Sequence, residues 1–169
     1  MQLVKPNRKY EKSWKEVLSE LETEGLMGFF NPNPLEKTRD LDHYIKQTKD
    51  CEEGKNLPED WVSSTTYWLV DNNKLIGQVN IRHKLTDSLK KLGGHIGYVI
   101  RPTARKMSYG TKILELALQK AESLGLKKVL ITCDESNTAS QKIIEKNKGV
   151  FQDKISGKDE PTLRYWIDL

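Results

Sequence analysis

The chain has 169 residues, with 28 Lys and Arg against 24 Asp and Glu, a net charge of +4 and an apolar share of 36%. That length suits one domain, 1–169, with a core of its own, and four Trp with six Tyr argue against a disordered chain. The charges are interspersed rather than gathered into the basic stripe of a nucleic-acid protein. No window reaches the ~18 apolar residues of a membrane span, so neither nucleic acid nor membrane is expected as a partner.

Met1 to Lys5 reads as a short strand. From Tyr10 to Glu24, the apolar residues Tyr10, Trp14, Val17, Leu18 and Leu21 fall three and four apart, one face of a helix that Gly25 ends. Asn31–Pro34 (NPNP) excludes regular structure. A second helix is predicted over Thr38 to Cys51 with Leu41, Tyr44 and Ile45 inward, followed by a loop through EEGKNLPEDW. TTYWLV (65–70) and LIGQVNIRH (75–83) are β-rich runs joined by the turn residues DNNK, a hairpin. TDSLKKLGG holds one helical turn, and HIGYVIR (95–101) is the next strand. Ile113, Leu114, Ala117, Leu118, Ala121 and Leu124 line a further helix, closed by Gly125. KKVLITC (127–133) has the apolar run of a buried parallel strand. TASQ (138–141) has the form of a capping box for a helix to Asn147, and two strands, 148–154 and 163–168, close the chain. The order predicts a mixed α/β domain around one central sheet.

Cys51 and Cys133 match no metal spacing and read as free thiols of a reducing compartment. MQLVKPNRKY lacks the apolar core of a signal peptide. A cytoplasmic enzyme or binding domain is the expectation.

The stretch RPTARKMSYGTKIL (101–114) places Arg105, Lys106, Met107, Ser108, Tyr109, Gly110 and Thr111 between a strand and a helix. The first amides of a helix lack intrahelical partners and carry the positive end of its dipole, so a basic, small-residue turn there suits an anion. A plain turn with solvated cations is the alternative. Neither a P-loop nor a dinucleotide fingerprint is present.

With its flanks, this stretch resembles the GNAT superfamily of N-acetyltransferases. That family carries R/Q-x-x-G-x-G/A between its fourth strand and the next helix, and Arg105, Ser108 and Gly110 take the three marked positions. Ser108 replaces the middle glycine, which would tolerate positive φ without the penalty serine meets. HIGYVIRP is similar to the family's fourth strand, and KKVLITCDESNTASQKIIEKNKGVF to its fifth strand and fourth helix. YWLV, GGHIGY and ITCD further resemble a bacterial branch. The resemblance implies a GNAT-like single domain: a mixed, mostly antiparallel sheet of about six to seven strands, about four flanking helices, and a splay between the fourth and fifth strands. It implies acetyl-CoA as co-substrate, with its pyrophosphate on the 105–111 loop, its pantetheine arm at Asn137 and Ser140, and the backbone near Val99 and Ile100 serving the acetyl group. No metal is implied.

Acetyl transfer needs a deprotonated amine, a stabilised thioester oxygen and a leaving thiolate. With an amine pKa near ~10.4, freeing the lone pair at pH 7 costs about 4–5 kcal/mol, which a base near operating pH reduces. His95 has the titration range for it, but alternation sets it on a face with Gly97 and Val99, away from Ile96, Tyr98 and Ile100. A structural histidine bonded to backbone is its alternative. His83 offers no fuller metal set. Ile144 stands where the family's helix carries a tyrosine acid. Tyr98 is the substitute by face, a sheet-packing aromatic otherwise. Cys133 reads as a buried hydrophobe. Asp40, Asp42 and Asp60 are candidate partners for a cationic acceptor. The expected activity is acetyl transfer by direct attack on a small-molecule or peptide amine. The alternative is a non-catalytic acyl-CoA sensor. Exposed strand edges admit a homodimer.

Overall fold

The computed structural model describes residues 1–26, 39–157 and 159–169. The NPNP segment and Thr38 lie outside them.

Seven strands and five α-helices follow in order among the described residues: β1 (Gln2–Val4), α1 (Glu11–Thr23), α2 (Leu41–Glu53), β2 (Ser64–Asp71), β3 (Lys74–Arg82), α3 (Asp87–Lys91), β4 (Ile96–Ile100), α4 (Tyr109–Ser123), β5 (Lys128–Asp134), α5 (Thr138–Lys146), β6 (Val150–Ile155) and β7 (Thr162–Asp168). The hairpin β2–β3 turns on Asn72 and Asn73, both at positive φ, the pair a two-residue hairpin favours. Helix α2 starts at Leu41, the first of its apolar residues, whereas the span predicted from the sequence starts at Thr38. Asp40 sets that start, because its side chain accepts from the amides of Asp42 and His43.

The sheet is not one ladder but two. β1-β2-β3-β4 and β5-β7-β6 each pair antiparallel throughout. β5 was expected as a parallel strand; its ladder runs antiparallel to β7, and it meets β4 only at one end. There the His95 N–H donates to the Leu130 carbonyl at 2.7 Å, and the Leu130 N–H donates to His95 Nδ1 at 2.9 Å. Gly94 permits this closeness: its φ is +58, and a Cβ would lie 2.4 Å from the Leu130 oxygen. Beyond this junction the two half-sheets separate.

Each face of the first half-sheet carries its own core. Trp14, Val17 and Leu21 of α1 and Tyr44 of α2 bury Trp68, Val70 and Leu75 on one side. The rings of Trp14, Tyr44 and Trp68 lie 5.6 and 5.8 Å apart in succession, contacts worth about 0.5–1.5 kcal/mol each beyond their buried area. On the other side Ile113, Leu114, Ala117 and Ala121 of α4 join Val79, Ile81 and Ile96 to Val129, Ile131, Leu163 and Tyr165 of the second half-sheet. That core spans both halves. Leu124, expected on the inner face of α4, caps its end and is exposed. Both cysteines are buried free thiols. Among the described residues no helix is long and apolar enough to cross a membrane.

Candidate active site

The separation of β4 from β5 opens a cleft of about 1010 Å³. Its floor is the face of β2, β3 and β4 that α1 and α2 leave uncovered. Register places Ser64, Thr66, Asn80 and Gly97 side by side there, and Asn80 Nδ2 donates to Ser64 Oγ at 3.0 Å and Thr66 Oγ1 at 3.1 Å. Gly97 is exposed in the middle of a sheet, and a Cβ there would meet nothing within 4 Å. Packing does not call for glycine; the vacant space is the cleft itself. One wall is Asp60 and Trp61 with α3. The other passes between the half-sheets to Tyr98, Cys133, Asn137 and Ser140. A single cavity therefore reaches both faces of the sheet at the splay.

Backbone polarity at the splay follows from the ladder. The Arg82 N–H donates to the His95 carbonyl and the Arg101 N–H to the Ile76 carbonyl. Bonded pairs recur every second residue, so Gly97 and Val99 also spend their amides on β3. Tyr98 and Ile100 turn theirs toward β5. Of the two residues expected to serve an acetyl group, Ile100 faces the splay with its backbone and Val99 does not. Tyr98 joins Ile100 instead.

Tyr98 points to the α5 side, its hydroxyl 3.5 Å from Ser140 Oγ. Burial pushes its pKa up to about 12, against the small opposing effect of Ser140. It is a neutral phenol at any physiological pH. Asn137, not Thr138, caps α5, with its side chain accepting from the Ser140 amide at 3.0 Å. The capping box is offset because Gln141 donates to the Glu135 carbonyl instead of back to the cap.

His95 is 7% exposed and does not line the cleft. Burial, then the charge of Arg82, lowers its pKa. Its Nδ1 accepts from Leu130, which fixes a neutral ring as the strut between half-sheets. His83 bonds Thr65 Oγ1 at 2.9 Å. No group of three or more metal-binding side chains gathers among the described residues.

The turn before α4 adopts the backbone of an anion cradle. Lys106 and Ser108 both sit at left-handed φ, +62 and +61, and residues of that kind turn successive N–H groups to one side. The first helical bond runs from the Lys112 N–H to the Ser108 carbonyl, so the amides of Tyr109, Gly110 and Thr111 have no partner within α4. Ser108 thus takes up the glycine-like conformation despite its side chain. Gly110 brings α4 against α5: a Cβ would lie 2.5 Å from Ile143 Cδ1. Asn147 holds the same junction through the Thr111 carbonyl at 3.3 Å. Met107 is exposed, and Lys106 makes no ion pair among the described residues. Arg105, expected to add charge, is tied to Glu24 at 2.7 Å. Tyr109 leaves the turn to donate to Asp71 at 2.9 Å. The amides of Tyr109, Gly110 and Thr111 thus offer donors at the turn, while the cleft at the splay is lined by other residues, Tyr98, Asn137 and Ser140 among them.

Of the three acids offered as acceptor partners, Asp60 lines the cleft. Asp40 is a helix cap and Asp42 pairs with Arg8. Sequence reading passed over the floor residues Ser64, Thr66, Gln78, Asn80 and Arg82. Their alternation through two strands was visible, but which face would lie open was not.

A family model described as Acetyltransferase (GNAT) domain matches residues 12–150. Among solved structures, the microcin C7 self-immunity acetyltransferase MccE, in complex with acetyl-CoA and AMP, superimposes with a TM-score of 0.69 at 14% identity, over 99% of this chain and 91% of that one. A ribosomal L7/L12 alpha-N-protein acetyltransferase, RimL, gives 0.67 at 12% identity over 99% and 89%. A mutant of the spermidine N-acetyltransferase SpeG from Vibrio cholerae gives 0.66 at 14% over 99% and 95%. No curated protein matches the chain significantly. At such identities these structures share a fold with this chain and their acceptors differ.

Proposed function

The chain belongs to the GNAT acetyltransferase family, and from that premise we propose that it is an acetyl-CoA-dependent N-acetyltransferase acting on a primary amine. The observation that carries this reading is the single cleft that crosses the sheet between β4 and β5, with a polar floor on one face and Tyr98, Asn137 and Ser140 on the other. Acyl donor and amine can then approach one point from opposite sides.

In this reading the 105–111 turn receives the pyrophosphate through its amides and Lys106, and Asn137 and Ser140 border the pantetheine arm. The amide of Tyr98 or Ile100 donates to the thioester oxygen as charge develops. A preorganised amide needs little reorientation for this. The amine nitrogen bonds to the carbonyl carbon, the carbon–sulfur bond breaks, the thiolate takes one proton and the amine releases one. Tyr98 is the proton donor to the thiolate, being neutral, half-buried and on the donor face. His95 is a strut rather than the base. The floor side chains Ser64, Thr66, Gln78 and Asn80 do not titrate, so the amine proton leaves through water toward the carboxylates at the rim.

Calorimetric titration with acetyl-CoA tests the reading first, followed by CoA release across an amine panel. Micromolar stoichiometric binding with turnover supports it. Binding without any turnover would instead assign a sensor of acyl-CoA, and no binding to millimolar ligand would leave only the fold. In an active protein, Tyr98→Phe should lower kcat by about 100-fold, the low end for a lost general acid, with the Kd for acetyl-CoA unchanged.

A further inference from the structure

The chain has six arginines. Five of them lie against a carboxylate. Arg82 alone has no acidic partner among the described residues, and it is half-buried in the lining of the cleft. Burial lowers its pKa with no nearby acid to oppose it. A desolvated guanidinium without a counter-charge is costly to hold, which calls for either a structural duty or a ligand.

Its structural duty uses only part of it. Nη1 donates to the carbonyls of Gly93 and Gly94, each at 3.0 Å. A guanidinium carries five N–H donors in a planar fork. The Nε and Nη2 edge, the edge that grips a carboxylate or phosphate in two parallel bonds, has no protein partner among the described residues. Arg82 lies two residues from Asn80 on the same face of β3, and Asn80 pairs with Gly97 beside the splay. At about 3.4 Å of rise per residue the two positions are roughly 7 Å apart, within the span of one small molecule. The remaining charges lining the cleft are the carboxylates Glu59, Asp60, Asp87 and Asp134. Asp87 is already paired with Lys90. Acids at the rim suit an incoming ammonium, and the guanidinium inside suits an anion.

We propose that Arg82 is a specificity-determining residue that receives an anionic group, a carboxylate or a phosphate, borne by the same molecule as the reacting amine. The inference rests on the acetyltransferase reading and narrows it: the acceptor is a zwitterion such as an amino acid or an aminoalkyl phosphate, not a simple polyamine.

The test uses the CoA-loaded protein and product-like probes, so it does not depend on finding the natural acceptor. N-acetylglycine, N-acetyl-O-phosphoethanolamine, neutral N-acetylglycinamide and N-acetylspermidine are titrated by calorimetry. At least one anionic probe should bind about 10- to 100-fold more tightly than the neutral amide, the range for a hydrogen bond to a charged group, and whichever wins names the anion. Arg82→Gln should abolish that preference, and Arg82→Lys should keep part of it. Melting temperature and CoA affinity establish that each variant is folded, and the lysine variant stands in if the glutamine variant is not. Equal binding of all probes, tighter binding of N-acetylspermidine, or a preference that survives undiminished in folded Arg82→Gln (or in folded Arg82→Lys, where the glutamine variant does not fold) overturns the inference while leaving the acetyltransferase reading intact. A protein that does not bind CoA refutes both.

Discussion

Ser108 shows how much a single backbone angle decides. A left-handed conformation costs a non-glycine residue about 1–2 kcal/mol, and strain of this kind persists where surrounding structure over-determines it. The serine at φ +61 keeps the cradle that glycine would make without strain. Ser108→Gly should therefore stabilise the fold by roughly 0.5–1 kcal/mol after the extra freedom of unfolded glycine is counted, with CoA affinity retained. Ser108→Val, β-branched at left-handed φ, should lose stability and affinity together; unfolding curves and calorimetry on both variants check this. His95 gives a second prediction at the same scale. Its folded pKa is lowered by burial and by Arg82, so as pH falls the unfolded chain takes up the proton first. The stability from the Leu130 bond is full above the unfolded value of about 6.5 and is lost as pH falls below it toward the folded pKa. His95→Asn keeps an acceptor for the Leu130 amide and cannot titrate, so urea unfolding from pH 7.5 to 5 should show a shallower acid limb than the parent. Parallel curves would mean that His95 does not bridge the half-sheets.

At the scale of elements, α1 holds the β4–α4 turn. Glu16 and Glu20, with Glu24 just past the helix end, recur every four positions along one edge. Glu20 takes Arg101 and both the amide and hydroxyl of Thr103, Glu16 approaches Arg101 at 3.6 Å, and Glu24 takes Arg105. Arg101 is 8% exposed and also donates to the Leu75 carbonyl at 3.1 Å. Burial alone would raise the Glu20 pKa, but its hydrogen bonds from Arg101 and Thr103 hold it below the usual value. Glu20→Gln keeps the shape and removes the charge opposite Arg101. It should cost about 1–3 kcal/mol of stability and weaken CoA severalfold by loosening the turn, whereas acetyl-pantetheine, lacking pyrophosphate, should bind unchanged. Equal losses for the two ligands would deny α1 any part in setting the turn. None of this grip was legible in the sequence, where the spacing of three acids does not show what they meet. The helix beneath them was legible in full: Tyr10, Trp14, Val17, Leu18 and Leu21 are all buried. Periodicity reports which side faces a core. It does not report which distant loop will meet the polar side.

For the whole molecule, the decisive feature is that two ladders share one core but, among the described residues, only one backbone junction. Strands, hairpin and strand-to-helix turn could be read from apolar period and turn chemistry, because those signals are local. The break between β4 and β5 could be expected only by resemblance, since it depends on Gly94 and His95 meeting Leu130 across 35 residues of chain. The open floor was hidden for a similar reason: Asn80 and Gly97 become neighbours only through strand pairing. The break also makes the amides of one strand unequal. Gly97 and Val99 are bonded to β3, while Tyr98 and Ile100 face the gap. Hydrogen exchange on the free protein should therefore show fast amides at Tyr98 and Ile100 between slow ones at Gly97 and Val99. Acetyl-CoA in the splay would accept from one or both fast amides and tie the half-sheets together, so exchange at Tyr98 or Ile100 should slow by at least 10-fold on saturation, with little change at Val99. Ligand at about 100 times its Kd adds about 2.7 kcal/mol to global stability, and for a chain of this size that raises Tm by roughly 5–10 °C. A Tm rise without protection at Tyr98 or Ile100 would place the ligand on the 105–111 turn alone, with the acyl arm outside the splay. Protection at both levels would put the thioester where the amine cleft ends.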